Sequence, residues 1–162
     1  MEESISNQRI NLIEIISKSD EIPYKEMKEK IKYGEYKIMQ KDDQGKNSLH
    51  HSIQHPTHAF KLTELLLKYN ADPNRMDKNR KTPLYYCCDE NKSLDLIKLL
   101  INYGADTNIK DIFGYSSLFA ILFKNTYKTE NNIDFEKLIF LLNKSNLDQV
   151  DKIGNSGNLF HF

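Results

Sequence analysis

The sequence lacks an excess of charge of either sign. Its 162 residues carry 23 basic and 23 acidic side chains, so the formal net charge at pH 7 is zero. Proteins that bind nucleic acid or anionic lipid through phosphate contacts carry a basic segment or face, and the charges here are spread evenly along the chain. We therefore expect neither nucleic acid nor a membrane as a partner.

The sequence also lacks a long apolar run. No stretch approaches the ~18 consecutive apolar residues that suggest a membrane-spanning helix. Glu2 and Glu3 stand where a secretory signal would carry positive charge. The two cysteines, Cys87 and Cys88, are adjacent in sequence, which disfavours an ordinary disulfide between them. These absences predict a soluble, cytoplasmic protein, in its own cell or in the cytosol or nucleus of a host cell.

Motifs for catalysis and metal binding are missing as well. The sequence contains no Gly-x-Ser-x-Gly, no His-Glu-x-x-His and no Gly-x-Gly-x-x-Gly. His51 and His55 have the spacing of two metal ligands on one helix face, but Pro56 would end that helix before His58 could join them. We therefore expect no catalytic residues, no metal site and no cofactor.

What the sequence does contain is an internal repeat. Residues 42–50, 77–85 and 111–119 resemble one another, and their leading aspartates lie 35 and then 34 positions apart. Residues 65–74 match residues 99–108 at an offset of 34. Two independent blocks that recur in the same order at nearly the same spacing predict stacked repeat units.

Each unit begins with signals for a turn followed by a short helix. Aspartate, glycine and asparagine cluster at the unit boundaries, where tight turns need them. Thr82 and Pro83 form a hydroxyl N-cap followed by proline at the first helical position. Ser48 and Ser117 offer a similar hydroxyl at a helix start.

Each unit continues with the apolar stripe of a second helix. The stripe consists of leucines at i, i+3 and i+4, namely Leu62, Leu65 and Leu66, and one unit later Leu96, Leu99 and Leu100. Asn70 and Gly104 are expected to end these helices in the left-handed conformation. Because neither helix can bury its apolar face alone, the units must stack into a solenoid.

This pattern resembles the ankyrin repeat, whose motif runs Asp-x-x-Gly-x-Thr-Pro-Leu-His and ends Leu-Leu-x-x-x-Gly-Ala-Asp-x-Asn. The unit over residues 77–110 keeps Thr82-Pro83-Leu84 and Gly104-Ala105-Asp106-Thr107-Asn108. The unit over residues 42–76 keeps Gly45, Leu49-His50 and Ala71-Asp72-Pro73-Asn74. The resemblance implies an all-α fold: an ankyrin-repeat solenoid of stacked helix-turn-helix units with β-turn fingers.

The resemblance also suggests how the chain is divided. Residues 1–41 are expected to form an N-terminal helical capping repeat, with helices over 5–18 and 23–33. Two ankyrin repeats follow over residues 42–76 and 77–110. A divergent repeat with a polar loop near 125–132 is expected over residues 111–150, and a partial terminal repeat over 151–162.

Two further residue roles are implied by the resemblance. His50 occupies the position of the family's histidine, which hydrogen-bonds backbone near the turn. Cys87 and Cys88 stand where the family usually has two alanines, so both are expected to be buried and inert.

The resemblance implies a function in protein recognition, because members of this family bind other proteins through turn tips and first helices along one concave face. We expect a non-enzymatic inhibitor or adaptor, and we expect it to be a monomer in preference to a homo-oligomer. The abundance of Lys, Ile and Asn indicates an AT-rich genome and suggests a host–pathogen role. The alternative is a structural solenoid that associates with itself through its C-terminal end, around Ile139, Leu142 and Phe160.

Carrying over the family's variable positions gives a set of predicted partner-binding residues: Met76, Lys78, Lys81, Asp89, Lys110, Ile112, Phe113, Tyr115 and Phe123. Ile112, Phe113 and Tyr115 stand apart because the other two units have polar residues at these tip positions. One hypothesis is a binding hot spot formed by Phe113, Tyr115, Phe123 and Met76, since aromatic residues concentrate interface energy. The other is that these side chains pack beneath the C-terminal segment, against Leu159, Phe160 and Phe162.

Overall fold

The computed structural model describes residues 11–18, 23–90, 92–127 and 134–145, with the backbone alone at residues 18 and 123–127. The regular secondary structure of these residues is helical and consists of α1 Leu12–Lys18, α2 Tyr24–Lys32, α3 Ser48–Gln54, α4 Ala59–Lys68, α5 Pro83–Asp89, α6 Leu94–Asn102, α7 Ser117–Tyr127 and α8 Phe135–Leu142. The described ranges contain no strand, and their one extended pairing is an isolated antiparallel bridge between Lys41 and Asn47. The fold is all-α, as predicted. No helix in these ranges is long and apolar enough to cross a bilayer.

The start of α5 follows the predicted N-cap. The Thr82 hydroxyl accepts a hydrogen bond from the Tyr85 amide at 3.2 Å, and Pro83 is the first helical residue. Because proline has no N–H, the first helical position has no donor that needs a partner.

The corresponding prediction for Ser48 and Ser117 was wrong, because each is already the first residue of its helix. A hydroxyl at that position cannot serve as the N-cap, which belongs to the residue before it. In α3 this residue is Asn47, whose side chain accepts a hydrogen bond from the His50 amide at 3.2 Å. The Ser48 hydroxyl instead donates to the Ile38 carbonyl at 2.8 Å.

The ends of α4 and α6 confirm the predicted left-handed residues. Asn70 has φ 64° and Gly104 has φ 89°. The following amides, of Ala71 and Ala105, each donate at 3.0 Å to a carbonyl in the last turn of the helix. The chain therefore turns in the same way after α4 and after α6, toward the next unit.

Helix α7 differs from the sequence prediction. A polar loop was predicted near residues 125–132, yet α7 continues to Tyr127 and has 11 residues where α3 and α5 have 7. Pro56 follows α3 closely, whereas residues 123–127 contain neither proline nor glycine to end the helix. The rest of that predicted loop, residues 5–10 of the first predicted helix and residues 151–162 lie outside the described ranges.

The helices pack in two rows. The first helices of the pairs contact one another in the order α1, α3, α5, α7, and the second helices α4, α6 and α8 pack against α3, α5 and α7. The core between the rows is built mainly from leucines that are no more than 2% exposed, including Leu49, Leu62, Leu66, Leu84, Leu96 and Leu100. Burying each such side chain contributes about 1.5–3 kcal/mol. The stacking predicted from the repeat is therefore the arrangement that buries these leucines.

Candidate partner-binding surface

Three turns project between the helix pairs, and each is organised by one aspartate. We call them finger 1 (residues 42–46), finger 2 (residues 77–81) and finger 3 (residues 111–115). In finger 2, Oδ1 of Asp77 accepts the amides of Asn79 and Lys81, both at 2.8 Å, while the Asp77 amide donates to the Lys81 carbonyl at 3.0 Å. The equivalent bonds in fingers 1 and 3 measure 2.8 to 2.9 Å. The backbone of each finger is therefore fixed by its own aspartate.

Main-chain hydrogen bonds also join successive fingers. The Lys78 amide donates to the Gln44 carbonyl at 2.9 Å, and the Ile112 amide donates to the Asn79 carbonyl at 3.0 Å. The three tips consequently lie side by side in a fixed register.

The other carboxylate oxygen of each aspartate, Oδ2, has a different environment in each finger. In finger 2, Oδ2 of Asp77 accepts the Tyr86 hydroxyl at 2.7 Å, and burial together with this carboxylate raises the pKa of Tyr86. In finger 3 the residue aligned with Tyr86 is Ala120, and the buried Oδ2 of Asp111 has no hydrogen-bond partner. Finger 3 therefore lacks, at the aligned helix position, the hydroxyl donor that finger 2 has in Tyr86.

The histidines near finger 1 are part of the fold. His51, aligned with Tyr86, places Nε2 2.8 Å from Oδ2 of Asp42 and Nδ1 3.0 Å from the Ser17 hydroxyl. Burial opposes ionisation of Asp42, but the hydrogen bonds from His51 and from the finger amides lower its pKa overall. His55 is buried, and its Nδ1 accepts the amide of His58 at 3.1 Å. In the part of the chain that the structure describes, no three His, Cys, Asp or Glu side chains are placed to hold a metal ion.

His50 confirms the role that the sequence suggested for it. Its Nε2 lies 3.2 Å from the Lys81 carbonyl, and its Nδ1 accepts the Asn47 amide at 3.2 Å. Burial lowers the pKa of His50 to about 4, so the ring is neutral at pH 7 and Nε2 donates to the carbonyl. This bond ties α3 to the end of finger 2.

Both cysteines lie in the core, as predicted. Cys87 and Cys88 are buried and form no disulfide. Burial raises the pKa of Cys87 to about 12 and also raises that of Cys88. Because the thiolate is the reactive form, neither side chain is a nucleophile at neutral pH.

The aromatic residues predicted at finger 3 have different surroundings. Phe113 is 58% exposed at the tip. Tyr115 is half-buried and stacks on Phe119, with ring centroids 4.3 Å apart and planes 5° from parallel. The Phe113 ring lies 6.4 Å from that of Tyr115. Tyr115 therefore supports the finger while Phe113 faces solvent.

The other predicted residues surround this tip or lie below it. Lys78 and Met76 are exposed, whereas Lys110, Ile112 and Asp89 are partly exposed. The Lys81 ammonium lies 4.6 Å from the centre of the Tyr85 ring, so Lys81 caps that ring. The side chain of Phe123 and residues 159–162 lie outside the described ranges, so packing beneath the C-terminal segment stays a hypothesis.

Arg80 is a prominent tip residue that the sequence prediction omitted. It is exposed and has φ 60°, in the left-handed region that L-residues other than Asn and Asp seldom adopt. Fingers 1 and 3 have Gly45 and Gly114 at the same place, with φ 79° and 91°. The signal in the sequence was the arginine in place of the motif's glycine.

Polar side chains link the first two helix pairs beside the fingers. The Lys46 ammonium donates to the Gln54 side chain at 3.1 Å, and Gln54 donates to the Glu90 carboxylate at 2.7 Å. Glu90 also pairs with Lys92 at 3.3 Å. These groups therefore form hydrogen bonds and an ion pair with one another beside fingers 1 and 2.

Comparison with known proteins gives a consistent result. A family model for ankyrin repeats, in three copies, matches residues 7–111, more than half of the chain. An ankyrin repeat protein of Rickettsia felis is 32% identical over 84 residues, which cover 49% of this chain and 37% of that protein. One from monkeypox virus is 38% identical over 60 residues, covering 37% and 9%. One from fowlpox virus is 33% identical over 91 residues, covering 56% and 12%. The aligned part of the chain thus spans well under half the length of each of these relatives.

Proposed function

Because the chain belongs to the ankyrin repeat family, we propose that it is a non-enzymatic module that recognises another protein through its fingers and first helices. Ankyrin repeats are in general protein-interaction modules. The observation that carries the proposal is Phe113, an aromatic side chain that is 58% exposed on a finger whose backbone is held by Asp111. A large apolar side chain on a rigid support loses little entropy on binding and is typical of interface hot spots.

The proposed mode of action is occupation of a partner's surface, as an inhibitor or an adaptor. The contact surface consists of the nine predicted positions, with Phe113 at its centre and Tyr115 as its support. Lys78 and Met76 add exposed polar and apolar contacts beside it. We also propose that the repeat units have the boundaries predicted from the sequence.

We further propose that the partner belongs to a host cell. Two observations support this: the similarity to proteins of Rickettsia and of poxviruses, and the abundance of Lys, Ile and Asn in the sequence. The protein would then act in the cytosol or nucleus of that host.

The test is affinity capture from host-cell lysates with the wild-type chain, Phe113→Ala and Phe60→Ala, followed by mass spectrometry. Phe60 is a matched control because it is 43% exposed and lies on α4, away from the fingers. Proteins captured by the wild type should also be captured by Phe60→Ala and should be lost with Phe113→Ala. The melting temperature of Phe113→Ala should stay close to that of the wild type, since little packing is removed.

Tyr115→Ala is measured separately, because loss of its stacking on Phe119 should lower stability and would confuse a double variant. Capture of the same proteins by Phe113→Ala and the wild type would contradict the proposed surface. A failure of the wild type to capture any protein across host and native lysates would contradict the proposed function.

Self-association remains the second candidate because of helix α8. Phe135 and Ile139 are exposed one helical turn apart, and Leu142 is half-buried; Phe160 lies outside the described residues. Light scattering on the wild type and on Ile139→Asp decides between the two. A dimer that Ile139→Asp converts to a monomer supports self-association, whereas a wild-type monomer supports the interaction module.

A further inference from the structure

The charge that finger 2 presents to solvent is positive, although the whole chain is neutral. Lys78 and Arg80 are both exposed. Neither forms an ion pair with any of the described residues. The acidic residue of the finger, Asp77, is buried, and its oxygens accept hydrogen bonds from the finger amides and from Tyr86. The two cations are therefore available to a ligand while the carboxylate is not.

Arg80 occupies its position at an energetic cost. The left-handed conformation is unfavourable for an L-residue with a Cβ, and glycine adopts it freely. Fingers 1 and 3 have glycine there and form the same hydrogen bonds, so the turn itself does not need an arginine. Strained backbone that persists at a surface is characteristic of ligand-binding positions.

The cationic tip and the aromatic tip are neighbours. The Ile112 amide is bonded to the Asn79 carbonyl at 3.0 Å, so the residue before Arg80 contacts the residue before Phe113. A ligand on one tip consequently lies beside the other. Arginine binds carboxylates through two parallel N–H groups, and Phe113 offers an apolar ring next to that site.

We infer that fingers 2 and 3 bind an acidic peptide segment of the partner. One carboxylate of the segment pairs with the Arg80 guanidinium, with Lys78 adding attraction, and an adjacent apolar side chain packs on Phe113. This inference rests on the proposed function and adds the chemistry of the partner. A nucleic acid fits less well, because Asp43 is exposed on finger 1 and interrupts any basic track along the row of tips.

The experiment is selection of random 12-residue peptides displayed on phage against the full chain. Enriched peptides should contain Asp or Glu next to a large apolar residue. A synthetic copy of the most enriched peptide is then titrated by fluorescence anisotropy. Arg80→Gly should weaken its binding about tenfold or more, the loss that one charge-assisted hydrogen-bonded pair produces. Arg80→Lys should recover part of the binding, because it keeps the charge but not the fork.

Stability provides an independent readout. Arg80→Gly places at finger 2 the residue that fingers 1 and 3 already have, so its melting temperature should equal or exceed that of the wild type. The matched control is the double variant Lys25→Glu/Lys28→Glu, which reverses two exposed lysines on α2. It should bind the peptide as the wild type does, whereas Lys78→Glu/Arg80→Glu should not.

The outcomes separate the inference from the proposed function. Peptides that lack acidic residues, bind Arg80→Gly normally and are lost with Phe113→Ala would overturn the acidic ligand and leave the interaction surface in place. Enrichment of no peptide, or of peptides insensitive to every finger variant, would count against both. A single-stranded oligonucleotide of mixed sequence that displaces the peptide at equal concentration would overturn the inference in favour of nucleic acid.

Discussion

The close spacing between fingers 1 and 2 depends on Gly45, because this residue has no side chain. It has φ 79°, and a Cβ built there would lie 3.0 Å from the Lys78 nitrogen. That nitrogen donates the hydrogen bond to Gln44 that joins the two fingers. Gly34 has a similar φ of 71°, but no atom lies within 4 Å of the place its Cβ would take. A comparison of substitutions at the two glycines therefore distinguishes the effect of backbone strain from that of steric crowding.

Gly45→Ala and Gly34→Ala should both lower the free energy of unfolding, by about 1 kcal/mol each for the left-handed conformation. Gly45→Ala should lose a further 1 to 2 kcal/mol, roughly, because the Lys78 backbone cannot move without breaking the bond between fingers. Urea denaturation of the two variants and the wild type measures both effects. Equal losses in the two variants would show that close packing at Gly45 is unimportant.

Single residues differ in how well the sequence revealed them. Asn70 and Gly104 were predictable because their residue types favour the conformation that they adopt. Arg80 was missed although it stands in place of the motif's glycine, since arginine itself carries no preference for a left-handed turn. The N-cap of α3 was placed one residue late, at Ser48, because Asn47 and Ser48 are both good caps.

Within one finger, the strength of the element depends on the second oxygen of its aspartate. Tyr86→Phe removes the hydroxyl bonded to Asp77 and leaves a buried carboxylate oxygen without that donor. We expect a loss of roughly 1 to 3 kcal/mol, since an unsatisfied buried acceptor bears its full desolvation cost. Tyr103→Phe is the matched control, because Tyr103 is an exposed tyrosine at the end of α6.

Thermal denaturation of both variants tests the point. The control should melt as the wild type does, within experimental error, whereas Tyr86→Phe should melt at a lower temperature. If Tyr86→Phe melts like the wild type, the hydrogen bond to Asp77 adds nothing to the finger.

Helices were predicted more reliably in type than in length. The period of the leucines identified α4 and α6, and proline after α3 indicated where that helix ends. Nothing comparable ends α7, which has no breaker among its last residues and continues to Tyr127. The polar composition of residues 125–132 suggested a loop, but no proline or glycine among the last residues of α7 ends the helix earlier.

Across the whole molecule, the units are coupled by a few specific hydrogen bonds in addition to the core. Asn74 donates from its side chain to the Gly104 carbonyl at 2.8 Å and accepts the Asp106 amide at 2.8 Å. One side chain thus fastens the loop after α4 to the loop after α6. In stacked repeats, stability and cooperativity depend on such contacts between neighbours.

Asn74→Ala should lower the free energy of unfolding by about 1 to 3 kcal/mol, because two hydrogen bonds between units are lost. It should also make the denaturation transition broader, since the units on either side then unfold with less coupling. Asn102→Ala, at an exposed position on α6, controls for the loss of an asparagine. A sharp, unshifted transition for Asn74→Ala would contradict the proposed coupling.

The stacked architecture could be predicted from the sequence because its period of 34 to 35 residues is visible without a structure. The candidate surface could be predicted only in part. Phe113 and Tyr115 look equivalent in sequence, yet one is exposed and the other stacks on Phe119. Such differences arise from contacts between residues in separate elements, which the pattern within one unit does not contain.

The hydrogen bonds within each finger use main-chain groups and one aspartate, and these bonds do not involve the side chains at the tips. Substitutions of the side chains at positions 78, 79, 112 and 113 in descendants of this gene can therefore leave these hydrogen bonds in place. At these positions a substitution can change the binding partner while the hydrogen bonds of the fingers are kept. A lineage that meets a changing partner can follow it by substitutions at these four positions.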